Sequence, residues 1–116
     1  MSLYNDVRRK IEEQISRGRK DFAIVPYGHM GHYVNNILEN VYNINPRYKY
    51  DNNLWRFNNR IQPLKDIEKC KYEHVVILIC TSDKTVYNEI KNQVLHYCNA
   101  DYVVDVIYPV IKSNNK

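Results

Sequence analysis

The chain predicts an α/β fold, a three-layer αβα domain with a mostly parallel sheet of about five strands and an extra helix in front. Three observations carry that expectation. Short apolar runs, FAIV at 22–25 and HVVILIC at 74–80, lack the polar alternation of a half-exposed strand, as strands covered on both faces do. Each run is followed by apolar residues at helical spacing. A glycine pair, Gly28 and Gly31, stands at the first strand-to-helix junction.

In chain order, Val7, Ile11 and Ile15 fall four apart, so Tyr4 to Ser16 forms a lead-in helix that Gly18 closes. Phe22 to Val25 is the first buried strand, bounded by Asp21 and Pro26. Val34, Ile37, Leu38 and Val41 place a helix over about Met30 to Tyr42. Tyr48 to Tyr50 is strand-like and ends in the polar cluster Asp51, Asn52 and Asn53. A loop with Trp55 and Phe57 leads to a minimal extended piece, Ile61 to Leu64, and a short polar helix, Lys65 to Lys71. His74 to Cys80, rich in β-branched residues, is the central strand. Thr81, Ser82 and Asp83 offer caps for a helix whose buried stripe is Val86, Ile90, Val94 and Tyr97. Tyr102 to Tyr108 is the last strand, stopped by Pro109, and a polar tail closes the chain. The organisation is therefore an N-terminal helix (1–20), one α/β domain (21–110) and a tail (111–116).

At 116 residues there is room for one core and not for a nucleotide domain plus a catalytic domain. A 44% hydrophobic and 26% charged composition excludes a disordered or fibrous chain. The net charge of +4 suits an anionic ligand without requiring a nucleic acid. The basic residues of the first helix are interrupted by Glu12 and Glu13, which reads as a solvated face. Three cysteines without CxxC spacing indicate neither a disulfide framework nor zinc. The longest purely apolar run, Val75 to Cys80, falls far short of the roughly 20 residues a bilayer span needs, so a soluble, cytoplasmic protein is expected.

Alternating strands and helices place a ligand crevice beyond the carboxyl ends of the strands, where the sheet order reverses. Here that crevice is edged by the Pro26–Gly31 loop, the Asp51 region and the Thr81–Asp83 loop. The loop has the spacing of a dinucleotide fingerprint with Pro26, Gly28 and Gly31 at its three glycine positions. Gly28 lets backbone approach phosphate and Gly31 lets the helix sit against the strand, whereas Pro26 removes one N–H donor. His29 adds a possible donor beside the helix start. Taken alone, the pattern reads equally well as a plain strand-to-helix turn. Asp51 stands twenty residues after Gly31, where a ribose-binding carboxylate is expected, although on local sequence alone an Asx turn is the better account of Asp51 and Asn52.

The ordered series IVPYGHMG, YDNN, RIQPLKDI, HVVILICTS and YNEIKNQVLHYCNA resembles a Rossmann-like N-terminal nucleotide-binding domain of bacterial sugar-nucleotide and surface-polysaccharide enzymes. Such domains accompany nucleotide-sugar dehydratases, sugar acyltransferases, glycosyltransferases and FkbM-like methyltransferases. The resemblance spans about Phe22 to Ile107. It implies a ligand of the nucleotide, nucleotide-sugar or NAD(P) type. It also implies a phosphate role for Gly28 and Gly31, with His29 and Met30 between them, and a ribose or sugar role for Asp51 and Asn52. Thr81 and Ser82 would line the same pocket. Two positions depart from the pattern: Pro26 replaces the first glycine, and Arg60 stands where a glycine is common before the next strand.

Catalytic sets are weaker. Tyr87 and Lys91 have the YxxxK spacing of short-chain dehydrogenases, but without that family's chain length or serine, so Tyr87 is expected to pack. His29 and His32 are three apart without a third ligand nearby. Cys80, inside an apolar strand, is expected to be inert. The eleven tyrosines are scattered rather than paired for RNA stacking. The expectation is an accessory binding domain, partnered by a catalytic domain or protein and with a homodimer plausible at its edge strand. A ligand-free scaffold domain of the same fold is the alternative.

Overall fold

The computed structural model describes residues 2–109. Four strands form one all-parallel sheet in the order β2-β1-β3-β4: β1 Phe22–Val25, β2 Tyr48–Lys49, β3 Val76–Ile79 and β4 Val103–Asp105. Four α-helices accompany it: α1 Leu3–Ser16, α2 His29–Val41, α3 Glu68–Glu73 and α4 Lys84–Tyr97. From β1 the chain goes out to β2 on one side and returns to β3 and β4 on the other, so the winding reverses beside β1.

The pleat sorts the strand residues onto two faces. Phe22, Ile24, Val76 and Leu78 join Val7 and Ile11 of α1 and Val34, Ile37 and Leu38 of α2 in one core. Ala23, Val25, Ile77 and Ile79 join Ile67, Cys70, Ile90 and Val94 of the α3 and α4 side in the other. Every residue of β1 and β3 is buried, as their unbroken apolar sequence requires.

Local signals set the helix limits. Ser2 caps α1 by accepting from the Asn5 N–H, and Gly18, at φ +82°, ends it. There Gly18 N–H reaches the Ile15 carbonyl and Arg19 N–H the Gln14 carbonyl, a Schellman closure that needs the left-handed glycine. Asp83 caps α4 through the Val86 N–H.

Several expectations are corrected. The described residues hold four strands rather than about five: the Ile61–Leu64 piece makes a single bridge, Gln62 to Tyr50, before Pro63 turns the chain into a 3₁₀ turn at Leu64–Ile67. The last strand is shorter than 102–108: Tyr102 ends a 3₁₀ turn, and the chain leaves the ladder after Val106, whose N–H still donates to the Ile79 carbonyl at 3.3 Å, with Val106 and Ile107 buried in the α1/α2 core. In α4 only Ile90 and Val94 are buried, while Val86 and Tyr97 are exposed. In α1, Ile15 is exposed and the polar Asp6 and Gln14 are buried. The 111–116 tail and the boundary at 110 lie outside the described residues. No helix among the described residues is long and apolar enough to cross a membrane.

Candidate functional site

The loop after β1 is held from both neighbouring strands. Cys80 N–H donates to the Val25 carbonyl at 2.7 Å, and Tyr27 N–H to the Tyr50 carbonyl at 2.9 Å, so Pro26, which has no N–H, sits where no donor is required. The buried Tyr27 ring packs on His32, centroids 4.2 Å apart. The Gly28 carbonyl accepts from both the backbone N–H and the ring Nδ1–H of His32, at 2.9 and 2.8 Å.

The two glycines have different jobs. At Gly31 a Cβ would stand 2.6 Å from the Pro26 carbonyl oxygen and 3.1 Å from Ile24 Cγ2, so only glycine lets α2 start this close to the strand. At Gly28 a Cβ would meet nothing within 4 Å. Gly28 is the N-cap of α2 and supplies no capping side chain, so the opening N–H groups of the helix face an uncapped end with open space beside it. His29, next in the chain, is exposed, and Met30 is half-buried against the α1/α2 core.

Beyond the carboxyl end of β1, on the α4 side, lies a cavity of about 210 Å³. Val25, Pro26, Leu64, Val86 and Ile90 supply its apolar surface; Asp51, Asn52, Asn53, Glu89 and Gln93 supply its polar one. None of the described residues lining it carries positive charge. Of the candidate residues, Asp51 and Asn52 are thus brought together with Pro26, whereas Gly28, His29, Met30, Gly31, Thr81 and Ser82 do not line this cavity.

Asp51 and Asn52 also shape the chain. Asp51 Oδ1 accepts from the Asn53 and Leu54 N–H groups, both at 2.9 Å, starting the 3₁₀ turn Leu54–Arg56. Asn52 Oδ1 accepts from Leu64 N–H at 2.9 Å and pins the end of the loop. The Asx turn is therefore present, and Asp51 Oδ2 takes no hydrogen bond from the described residues. Thr81 is buried and accepts from the Asp83 N–H, while Ser82 is exposed.

Glu89 and Gln93 are the lining residues that sequence reasoning missed. They lie one turn apart on α4, and with Val86 they make a stripe beside the buried one. That spacing was visible, but the partner across the cavity, Asp51, is 38 residues away and comes from a different crossover.

Tyr87 and Lys91 do meet, but as a structural clamp. The Tyr87 hydroxyl donates to Asp105 Oδ2 at 2.8 Å, Lys91 Nζ bonds both oxygens of the same carboxylate at 2.8 and 2.9 Å, and Tyr108 stacks on Tyr87 with centroids 4.2 Å apart. Burial and then the hydrogen bond to Asp105 raise the pKa of Tyr87, the opposite of what a catalytic phenolate needs. The three cysteines are buried; desolvation pushes Cys70 and Cys98 up to about 11 and Cys80 further still. Among the described residues no His, Cys, Asp or Glu group could hold a metal ion.

Set against protein-family models, curated proteins and solved structures, the chain matches none of them.

Proposed function

We propose that this chain is a Rossmann-like domain that binds a nucleotide, nucleotide-sugar or NAD(P)-type ligand and serves an enzyme of bacterial surface-carbohydrate synthesis. One observation carries the reading. The uncapped start of α2 and the cavity edged by Asp51 lie on the two sides of Pro26, at the carboxyl end of β1, where the winding of the sheet reverses. The division of labour follows from chemistry. A phosphate belongs at the α2 N–H groups, where the helix dipole favours an anion. The nucleoside belongs in the cavity, which has an apolar surface, hydrogen-bonding walls and no cation to attract a phosphate. In this reading Asp51 Oδ2 accepts from ribose hydroxyls, while Oδ1 keeps the loop in shape by accepting from the Asn53 and Leu54 N–H groups.

Gly28→Asp tests the site. The backbone there has φ −101° and a Cβ would meet nothing within 4 Å, so the fold should be kept. The new carboxylate would occupy the helix N–H groups and repel a phosphate. Binding should vanish at unchanged melting temperature; unchanged affinity would overturn the assignment.

A scaffold domain of the same fold that works by holding other proteins is the second reading. Phe57, 86% exposed beside the exposed Trp55 in a hydrogen-bonded loop, favours it. It predicts no response to any nucleotide, and loss of partner capture on Phe57→Ser.

A further inference from the structure

Resting on the nucleotide reading, we infer that the cavity beside Pro26 selects a guanine base, and that Glu89 and Gln93 of α4 read its edge. The cavity divides by chemistry. Val25, Pro26, Leu64, Val86 and Ile90 offer apolar surface for a flat ring. The polar lining nearest the sheet edge comes from Asp51 and Asn52, the lining on α4 from Glu89 and Gln93. If the ribose takes Asp51, the base faces α4.

On α4 it meets a carboxylate and an amide one turn apart, with no cation in the lining. An ionised carboxylate only accepts hydrogen bonds, and its two oxygens accept best from two parallel donors. Among the common bases only guanine offers such a pair, N1–H beside the 2-amino group. Its O6, an acceptor, is then left for the NH₂ of Gln93. Adenine places the unprotonated N1 beside its single amino group, and uracil flanks its one N–H with two carbonyl oxygens. In either case a Glu89 oxygen would face another acceptor. Hypoxanthine keeps N1–H and O6 but lacks the 2-amino group, which makes it the closest control.

Glu89 is exposed and makes no hydrogen bond with the other described residues, so Glu89→Gln should fold normally. Isothermal titration of the whole chain with GDP, IDP, ADP and UDP tests the inference. GDP should bind about tenfold or more tightly than the other three, as expected for a charge-assisted pair that the analogues cannot complete. Glu89→Gln should weaken both, GDP more than IDP, and bring the two within about twofold of each other. Equal affinity for GDP and IDP, or a GDP preference that survives Glu89→Gln, would overturn the base assignment and leave the nucleotide reading standing. Failure of all four to bind, with the wild type folded, would overturn the base assignment, and the nucleotide reading with it if NAD(P) and nucleotide-sugars also fail to bind.

Discussion

A Cβ on Gly31 would fall 2.6 Å from the carbonyl oxygen of Pro26. The obstacle is backbone, held by the β1–β3 and β1–β2 hydrogen bonds on either side, so it cannot swing away. The first turn of α2 therefore rests directly on the loop that leaves β1, and the geometry of the candidate phosphate end depends on one missing methyl group.

Gly31→Ala should destabilise the domain by about 1–3 kcal/mol through overpacking, with the better helix propensity of alanine offsetting only part of it. Gly28→Ala, with no neighbour to meet, should stay within about 0.5 kcal/mol of wild type. Urea unfolding of the two variants checks the contrast, and equal losses would refute this division of roles.

The Tyr87–Lys91–Asp105 clamp joins α4 to the end of β4. Tyr87→Phe should cost about 0.5–1.5 kcal/mol of stability, the usual net worth of one hydrogen bond. For Lys91 burial works against the charge, but the bonds to Asp105 and Tyr87 outweigh it and raise the pKa; that of Tyr87 is raised too. Groups raised in the folded state stabilise fully below their unfolded pKa values, about 10 for both, and the contribution fades as pH rises through the folded values. Wild type should lose stability above about pH 10, more steeply than Lys91→Met.

On the acid side, Asp6 is the carboxylate that is both buried and paired. Its buried carboxylate meets Arg9 at 2.7 Å and Lys10 at 3.1 Å. Burial alone would raise its pKa, yet the hydrogen bonds from Arg9 and Lys10 hold it below the usual value. The stabilisation is present above the unfolded carboxylate pKa, about 3.9, and is lost as pH falls through the folded one. Asp6→Asn should cost about 1–3 kcal/mol near neutral pH, and the gap to wild type should close below about pH 4. A gap that persists in acid would mean the loss has another cause.

Buried thiols with raised pKa values should be protonated and shielded at neutral pH. Native protein should react with a soluble disulfide reagent many times more slowly than the denatured chain, in which all three cysteines should titrate promptly. One fast native thiol would contradict the packing around it.

Periodicity was enough for α1, α2 and α4 and for the two central strands, whose burial on both faces leaves an unbroken apolar run; the expected Lys65–Lys71 helix is instead a 3₁₀ turn at Leu64–Ile67 followed by α3. Periodicity failed where a partner from elsewhere decides. Gln14 is buried because Arg19 donates to its side chain while also reaching Asp101 and lying 3.8 Å over the Tyr102 ring. Val106 and Ile107 look like strand, but β4 ends at Asp105 and only the Val106 N–H still reaches the Ile79 carbonyl. The glycine loop was legible for the same local reason as the helices. Glu89 and Gln93 were not, since α4 belongs to the crossover from β3 to β4 and only the assembled sheet brings it alongside Asp51 at the end of β2.

The most direct test of the central claim is a thermal-shift panel on the whole chain with NAD(H), NADP(H) and UDP-, GDP- and dTDP-sugars, repeated on Gly28→Asp. A ligand at 100 times its dissociation constant should stabilise the fold by about 2.7 kcal/mol. The account predicts a clear shift with a nucleotide-bearing ligand and none with Gly28→Asp; an unmoved melting temperature for every ligand would contradict it.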